Sequence, residues 1–212
     1  MFVNITLVVM VMALVSTGAI IAATRTLPPV VELPVPYLSQ VFGGEWVSPW
    51  DEACEEASIT MVQGYYNHQT IIEVKDARPH MQELIDWEMK TFKKNNDTTA
   101  AETLRLISEK TDLQASIKLN PSITDIKREL AKSRPVIAFL NMYKLYGETN
   151  QGDSFHVLVV SGYDETNRQF IVNDPARPSK RYSQTVFMNA LHDFNPKSKE
   201  ADGVPTVIFT AP

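Results

Sequence analysis

The order of patterns along the chain predicts an α+β fold with a mostly antiparallel sheet. Two observations carry this. Apolar residues recur at helical spacing through much of the first half, and strand-like apolar runs dominate the second. A third is that a short turn, Asp164 to Arg168, joins two of those runs directly, which antiparallel neighbours allow and parallel ones do not.

The 212 residues suffice for one ordinary domain with a sizeable core, and 44% are hydrophobic. The net charge is −5 and the basic residues are scattered, which argues against a nucleic-acid partner. A single cysteine excludes an intrachain disulfide and a cysteine-based zinc site. The four histidines, His68, His80, His156 and His192, show no short-range ligand spacing. Neither metal nor cofactor is expected.

From Ile5 to Ala23 the chain is almost wholly apolar, interrupted by Thr6, Ser16, Thr17 and Gly18. About 19 residues rising ~1.5 Å each reach the thickness of a bilayer core. The run is longer than a usual signal peptide and no charged side chain precedes it, so residues 1–24 are expected to be a transmembrane anchor or an uncleaved signal. Ala22 and Ala23 are small enough for cleavage, which would yield a secreted protein. Arg25 argues for a cytoplasmic domain by the positive-inside rule, but an anchor ahead of one soluble domain is a common export design, and an extracytoplasmic domain is expected. Residues 25–34 carry Pro28, Pro29 and Pro34 and read as a stiff linker. The domain proper is expected over 35–212.

Val35 to Gln40 reads as extended. A Pro- and Trp-bearing segment then gives way at Cys54 to a helix through about Tyr66, with Ala57, Met61, Val62 and Tyr65 on one face. A thiol at a helix start meets unpaired N–H groups and the positive end of the helix dipole, which favour the nucleophilic thiolate. Glu55 and Glu56 oppose this locally. A second helix is expected over Pro79–Lys94, with Met81, Leu84, Ile85 and Phe92 inward. A third, Ala100–Lys110, is capped by Thr98 or Thr99, with Glu102 completing a capping box. Leu113–Leu119 alternates as a short strand does. Ser122 caps a helix over Ile123–Lys132. Val136–Leu140 reads as a central strand, Asn141–Asp153 as a polar loop, and Phe155–Tyr163 and Gln169–Asn173 as paired strands ended by Asp174-Pro175. A helix near Ser183–Leu191 and a strand over Thr206–Thr210 complete the domain.

A turn centred near Glu165 sets His156 opposite Asp174, Leu158 opposite Val172 and Val160 opposite Phe170. Opposed side chains share a face, with Cβ atoms about 5 Å apart. The imidazole then reaches the Asp174 carboxylate, which fixes its tautomer and stabilises imidazolium. A register one residue over places Asn173 there instead. A lone cysteine at a helix start, followed far downstream by a strand histidine and an aspartate, suits thiolate–imidazolium chemistry.

Four stretches, Val35-Pro36-Tyr37-Leu38-Ser39-Gln40, Ala53-Cys54-Glu55-Glu56-Ala57-Ser58, His156 to Asp164, and Val172-Asn173-Asp174-Pro175, resemble in order the bacteriocin-processing peptidase-like proteins, family thirty-nine of the cysteine peptidases. The resemblance implies a papain-like peptidase fold over 35–212. It also implies roles: Cys54 as nucleophile, His156 as base, Asp174 as its orienting acid and Gln40 in the oxyanion hole. Glu55-Glu56 stand where the best-known members carry Gly-Pro, and the spacer from Gln40 to Cys54 is longer than usual. This pattern is associated with a stand-alone subgroup, and cleavage after a double glycine does not carry over. The expected activity is peptide hydrolysis through an acyl-enzyme, with a peptide or protein substrate. Two rivals use the same cleft: a catalytically inactive module binding peptides or a cell-surface partner, and a cell-wall amidase or transpeptidase. The oligomeric state is not legible.

Overall fold

The computed structural model describes residues 26–44, 46–148 and 155–212. The apolar run Ile5–Ala23 and residues 149–154 of the expected polar loop lie outside them. Among the described residues no helix is long and apolar enough to cross a membrane.

The fold is α+β, as the sequence predicts. In chain order the elements are β1 (Val30–Glu32), α1 (Cys54–Tyr66), α2 (Val74–Thr91), α3 (Ala100–Lys110), β2 (Gln114–Leu119), α4 (Ile123–Leu130), β3 (Val136–Asn141), α5 (Met142–Tyr146), β4 (Phe155–Asp164), β5 (Gln169–Asp174), β6 (Arg177–Ser183), α6 (Gln184–Ala190) and β7 (Thr206–Ala211). The strands run in the order β2-β7-β3-β4-β5-β6, and β1 pairs with β4 beyond the end of β3. Every strand pairing described is antiparallel.

The period-2 alternation of β3 and β4 divides the core between two faces. Ile137, Phe139, Val157 and Val159 meet α1, α2 and α3. Val136, Ala138, Leu140, Leu158 and Val160 meet α4, α5 and α6. β3 and β4 are therefore apolar on both faces, which explains their near-continuous hydrophobic runs. The helix starts follow their caps. Thr99 and Glu102 form the capping box of α3, and Ser122 forms one with Asp125 for α4.

Four expectations need correction. α2 begins at Val74, with Pro79 inside it. The proline forfeits one N–H bond, but burial of Ala77, Met81, Leu84 and Ile85 carries the helix through it. The stretch assigned to a linker contains β1, with Leu33 N–H donating to Ser161 O at 2.8 Å just after it. β1 approaches so closely because Gly162 has no Cβ; one placed there would collide with the Val31 carbonyl. Asn141 caps the short α5 through a bond from Lys144 N–H, and Gly147 ends it at φ 72°. Finally, Arg177–Ser183 forms β6. It lies at the sheet edge, where a polar run bearing Pro178 fits and shows no alternation to read.

The β4–β5 register also differs from the expected one. Asp164 pairs with Gln169, Val160 with Val172 and Val159 with Asn173, and the register shifts between Val160 and Gly162. The turn centres between Thr166 and Asn167, where the Asp164 carboxylate accepts from the Asn167 N–H at 3.1 Å and its side-chain amide at 2.7 Å. This anchored turn and the irregularity at Ser161 move β5 along β4, so His156 and Asp174 are not directly opposed.

Candidate active site

Cys54 is the first residue of α1. A 3-10 turn over Trp50–Glu52 feeds it, closed by Trp50 N–H and Asp51 N–H on the Val47 carbonyl. Ala53, at the N-cap, supplies no capping side chain, so the first-turn N–H groups lack the usual side-chain acceptor. Trp50 is buried edge-on to Phe42 at 4.9 Å, with the Arg78 guanidinium 5.3 Å from its ring. Of the two tryptophans before Cys54, Trp50 is packing, while Trp46 lines the cavity described below.

Gln40 is 2% exposed and sits beside this turn. Its Nε2 donates to the Trp50 and Asp51 carbonyls at 3.2 and 3.0 Å. Both amide protons therefore brace the turn that presents Cys54. The Gln40 N–H donates to the Pro175 carbonyl at 3.0 Å, which ties the same residue to the end of β5.

His156 is the second residue of β4 and is buried. Its Nε2 lies 2.8 Å from Asp174 Oδ1. Although not directly opposed, the two side chains share a face, and long side chains bridge such diagonal positions. Asn173 faces elsewhere, donating through Nδ2 to the Val35 carbonyl at 2.8 Å. The open choice between Asn173 and Asp174 thus resolves to Asp174 as the residue on the imidazole.

Two further donors hold that carboxylate. The Tyr146 hydroxyl donates to Oδ2 at 2.7 Å and the Ala176 N–H to Oδ1 at 2.9 Å. Burial pushes the Asp174 carboxyl up, but His156 and these donors outweigh it and hold it below the usual range. Tyr146 is pushed up by burial and then by Asp174, and stays a neutral donor. The Arg177 guanidinium covers its ring at 3.7 Å. Tyr146 falls within the polar loop expected over Asn141–Asp153; Asn141 and Gly147, which bracket it, are the sequence signal for the short helix that carries it.

Cys54, His156 and Gln40 line one cavity of about 150 Å³, together with Trp46, Met142 and Phe155 and the acidic Asp51, Glu52 and Asp97. A larger cavity of about 390 Å³, between Leu27, Pro28 and α4, carries no cysteine or histidine. Chemistry therefore selects the smaller one. Within it the thiol is not bonded to the imidazole. Cys54 Sγ donates to Glu55 Oε2 at 3.0 Å. Burial pushes the thiol well up, and the Glu55 carboxylate adds to this, while the Val157 N–H acts in the opposite sense. The helix-terminal environment that favours thiolate is outweighed here.

Residues 32–200 match the Peptidase_C39 like family. The chain belongs to this family. No curated protein matches the sequence. Among solved structures, the chain is similar to a C39-like protein of Bacillus anthracis, with a TM-score of 0.59 and 16% identity over 87% of this chain and 98% of that one. It is also similar to the peptidase domain of Streptococcus ComA, a bi-functional ABC transporter involved in a quorum-sensing pathway. There the TM-score is 0.53 and the identity 17%, over 84% of this chain and 98% of that domain. At these identities the likeness establishes the fold.

Proposed function

We propose that the protein is a cysteine peptidase in which Cys54, His156 and Asp174 act as a triad. The observation that carries this is that His156, held by a 2.8 Å bond to the buried Asp174, lines the same cavity as Cys54 at the start of α1. Nε2 is committed to Asp174, which leaves Nδ1 for proton exchange. The Cys54 proton passes to Nδ1, and the thiolate adds to the substrate carbonyl. The oxyanion forms near the N–H of Cys54 at the start of α1, and Gln40 joins it by giving up one of its two carbonyl bonds. His156 returns its proton to the leaving amine, and the C–N bond breaks. A water, deprotonated by His156, then hydrolyses the thioester and restores the thiol. Membership of a peptidase family supports this reading.

Cys54→Ala and His156→Ala are expected to abolish turnover of a peptide pool while leaving the circular dichroism spectrum unchanged. Unchanged turnover in either variant contradicts the triad. The Cys54–Glu55 bond favours one rival, a module that binds peptides without cleaving them; peptide binding by a parent protein with no turnover would decide for it. Adding a free amine during turnover separates hydrolysis from transfer to cell-wall peptides. We further propose that Ile5–Ala23 anchors the domain on the outer side of a membrane. Protease accessibility in intact cells tests this, and a protected, soluble protein contradicts it.

A further inference from the structure

Glu55 follows Cys54 directly, and adjacent helix positions do not normally face each other. The contact between them is built from outside the helix. Glu55 is 2% exposed, and its Oε1 accepts from both the N–H and the hydroxyl of Thr98, at 2.8 and 2.9 Å. The Thr98 hydroxyl is in turn 2.9 Å from the Thr103 hydroxyl on α3. This fork fixes the carboxylate and turns its second oxygen, Oε2, onto Cys54 Sγ at 3.0 Å.

We propose that Glu55 is a positioning residue that latches the Cys54 thiol in a protonated resting state, so that attack requires Sγ to exchange Glu55 for His156. This role rests on the reading of Cys54 as nucleophile. On release the S–H bond breaks, its electron pair stays on sulfur, and the proton goes to His156 Nδ1. Glu55 keeps its two bonds from Thr98 and gains no proton. The surroundings oppose premature ionisation. Glu56 on α1, Glu88 on α2 and Asp193 share the field of the Glu55 carboxylate, and Asp97 acts on Cys54 in the same sense. Lys94, a cation that acts on Glu88, is engaged by Glu102 at 3.2 Å.

The test is the pH profile of Cys54 alkylation by iodoacetamide in the full chain, in parent, Glu55→Gln and His156→Ala forms. Glutamine keeps the acceptor for Thr98 and offers the sulfur an N–H. The latch predicts a midpoint at least about one unit lower in Glu55→Gln, and alkylation about tenfold faster below both midpoints. A merely structural Glu55 leaves the midpoint where it was, and that result overturns the proposal. A midpoint that rises makes Glu55 the base and overturns it as well. His156→Ala tests the other claim separately. Added to Glu55→Gln, where the thiol is released, His156→Ala should raise the lowered midpoint again; if it leaves that midpoint unchanged, Glu55 still restrains the resting thiol but the exchange onto His156 falls with the triad. Should Glu55→Gln not fold, the parent still decides, because its single cysteine gives one S–H stretching band. A band displaced to low frequency supports the bond to Glu55, and one at the free-thiol position overturns it.

Discussion

Behind the candidate nucleophile two more carboxyls are buried together, and they set a stability that falls with pH. Glu56 and Glu88 are 1% exposed each, and among the described residues neither Glu56 oxygen nor Glu88 Oε1 meets a donor. Two carboxylates cannot bond to each other, so a shared proton must join them. Burial, followed by the neighbouring carboxylates Glu88 and Glu55, pushes Glu56 well up. Burial, followed by Glu55, raises Glu88 from the ordinary 4.5 to about 8. The folded form thus keeps a proton that the unfolded chain releases above pH 4.5. The associated stability is complete below that pH and is lost as pH rises through about 8. At ~1.4 kcal/mol per unit, the shift corresponds to on the order of 5 kcal/mol. Glu88→Gln keeps an oxygen to accept the Glu56 proton and removes the titration of Glu88, while burial still holds Glu56 protonated. The assay is urea or thermal unfolding of parent and variant at pH 5 and 8.5. The two should be similar at pH 5. At pH 8.5 the variant should be the more stable, by up to roughly 10 °C in Tm for a domain of this size. A variant less stable than the parent at pH 8.5, or equal to it at both pH values, refutes the shared proton.

Three other outcomes follow from the geometry. Asp174→Asn should lower peptide turnover about a hundred- to ten-thousand-fold, because it removes the acid that fixes His156, and initial-rate kinetics measure this. Gly162→Ala should destabilise the domain by about 1–3 kcal/mol and expose the β1 amides to hydrogen exchange, because its Cβ strikes the Val31 carbonyl. Thr99→Ala should cost about 1 kcal/mol in urea unfolding through loss of the α3 capping box.

Much of this was legible where local chemistry decides structure. Cys54–Tyr66 and Ala100–Lys110 are bounded by signals within a few residues, and the structure keeps both boundaries. The His156–Asp174 contact was legible as a pairing of two strands, yet the register behind it was not. That register depends on Asp164 gripping Asn167 and on a local shift near Ser161, neither of which has a periodicity. β1 and β6 escaped because proline and polar residues at strands with little apolar alternation read as linker or turn. The Glu55 latch was visible only as a nearby charge. Its geometry comes from Thr98, 43 residues away, which no local pattern connects to Cys54.

The most direct test of the triad is mass spectrometry of the protein during reaction with an activated peptide ester. The parent should carry an acyl group on Cys54 that is released by hydroxylamine, and Asp174→Asn and His156→Ala should acylate far more slowly. Turnover that persists in Cys54→Ala, or acylation at another residue, would contradict the assignment of Cys54 as the nucleophile.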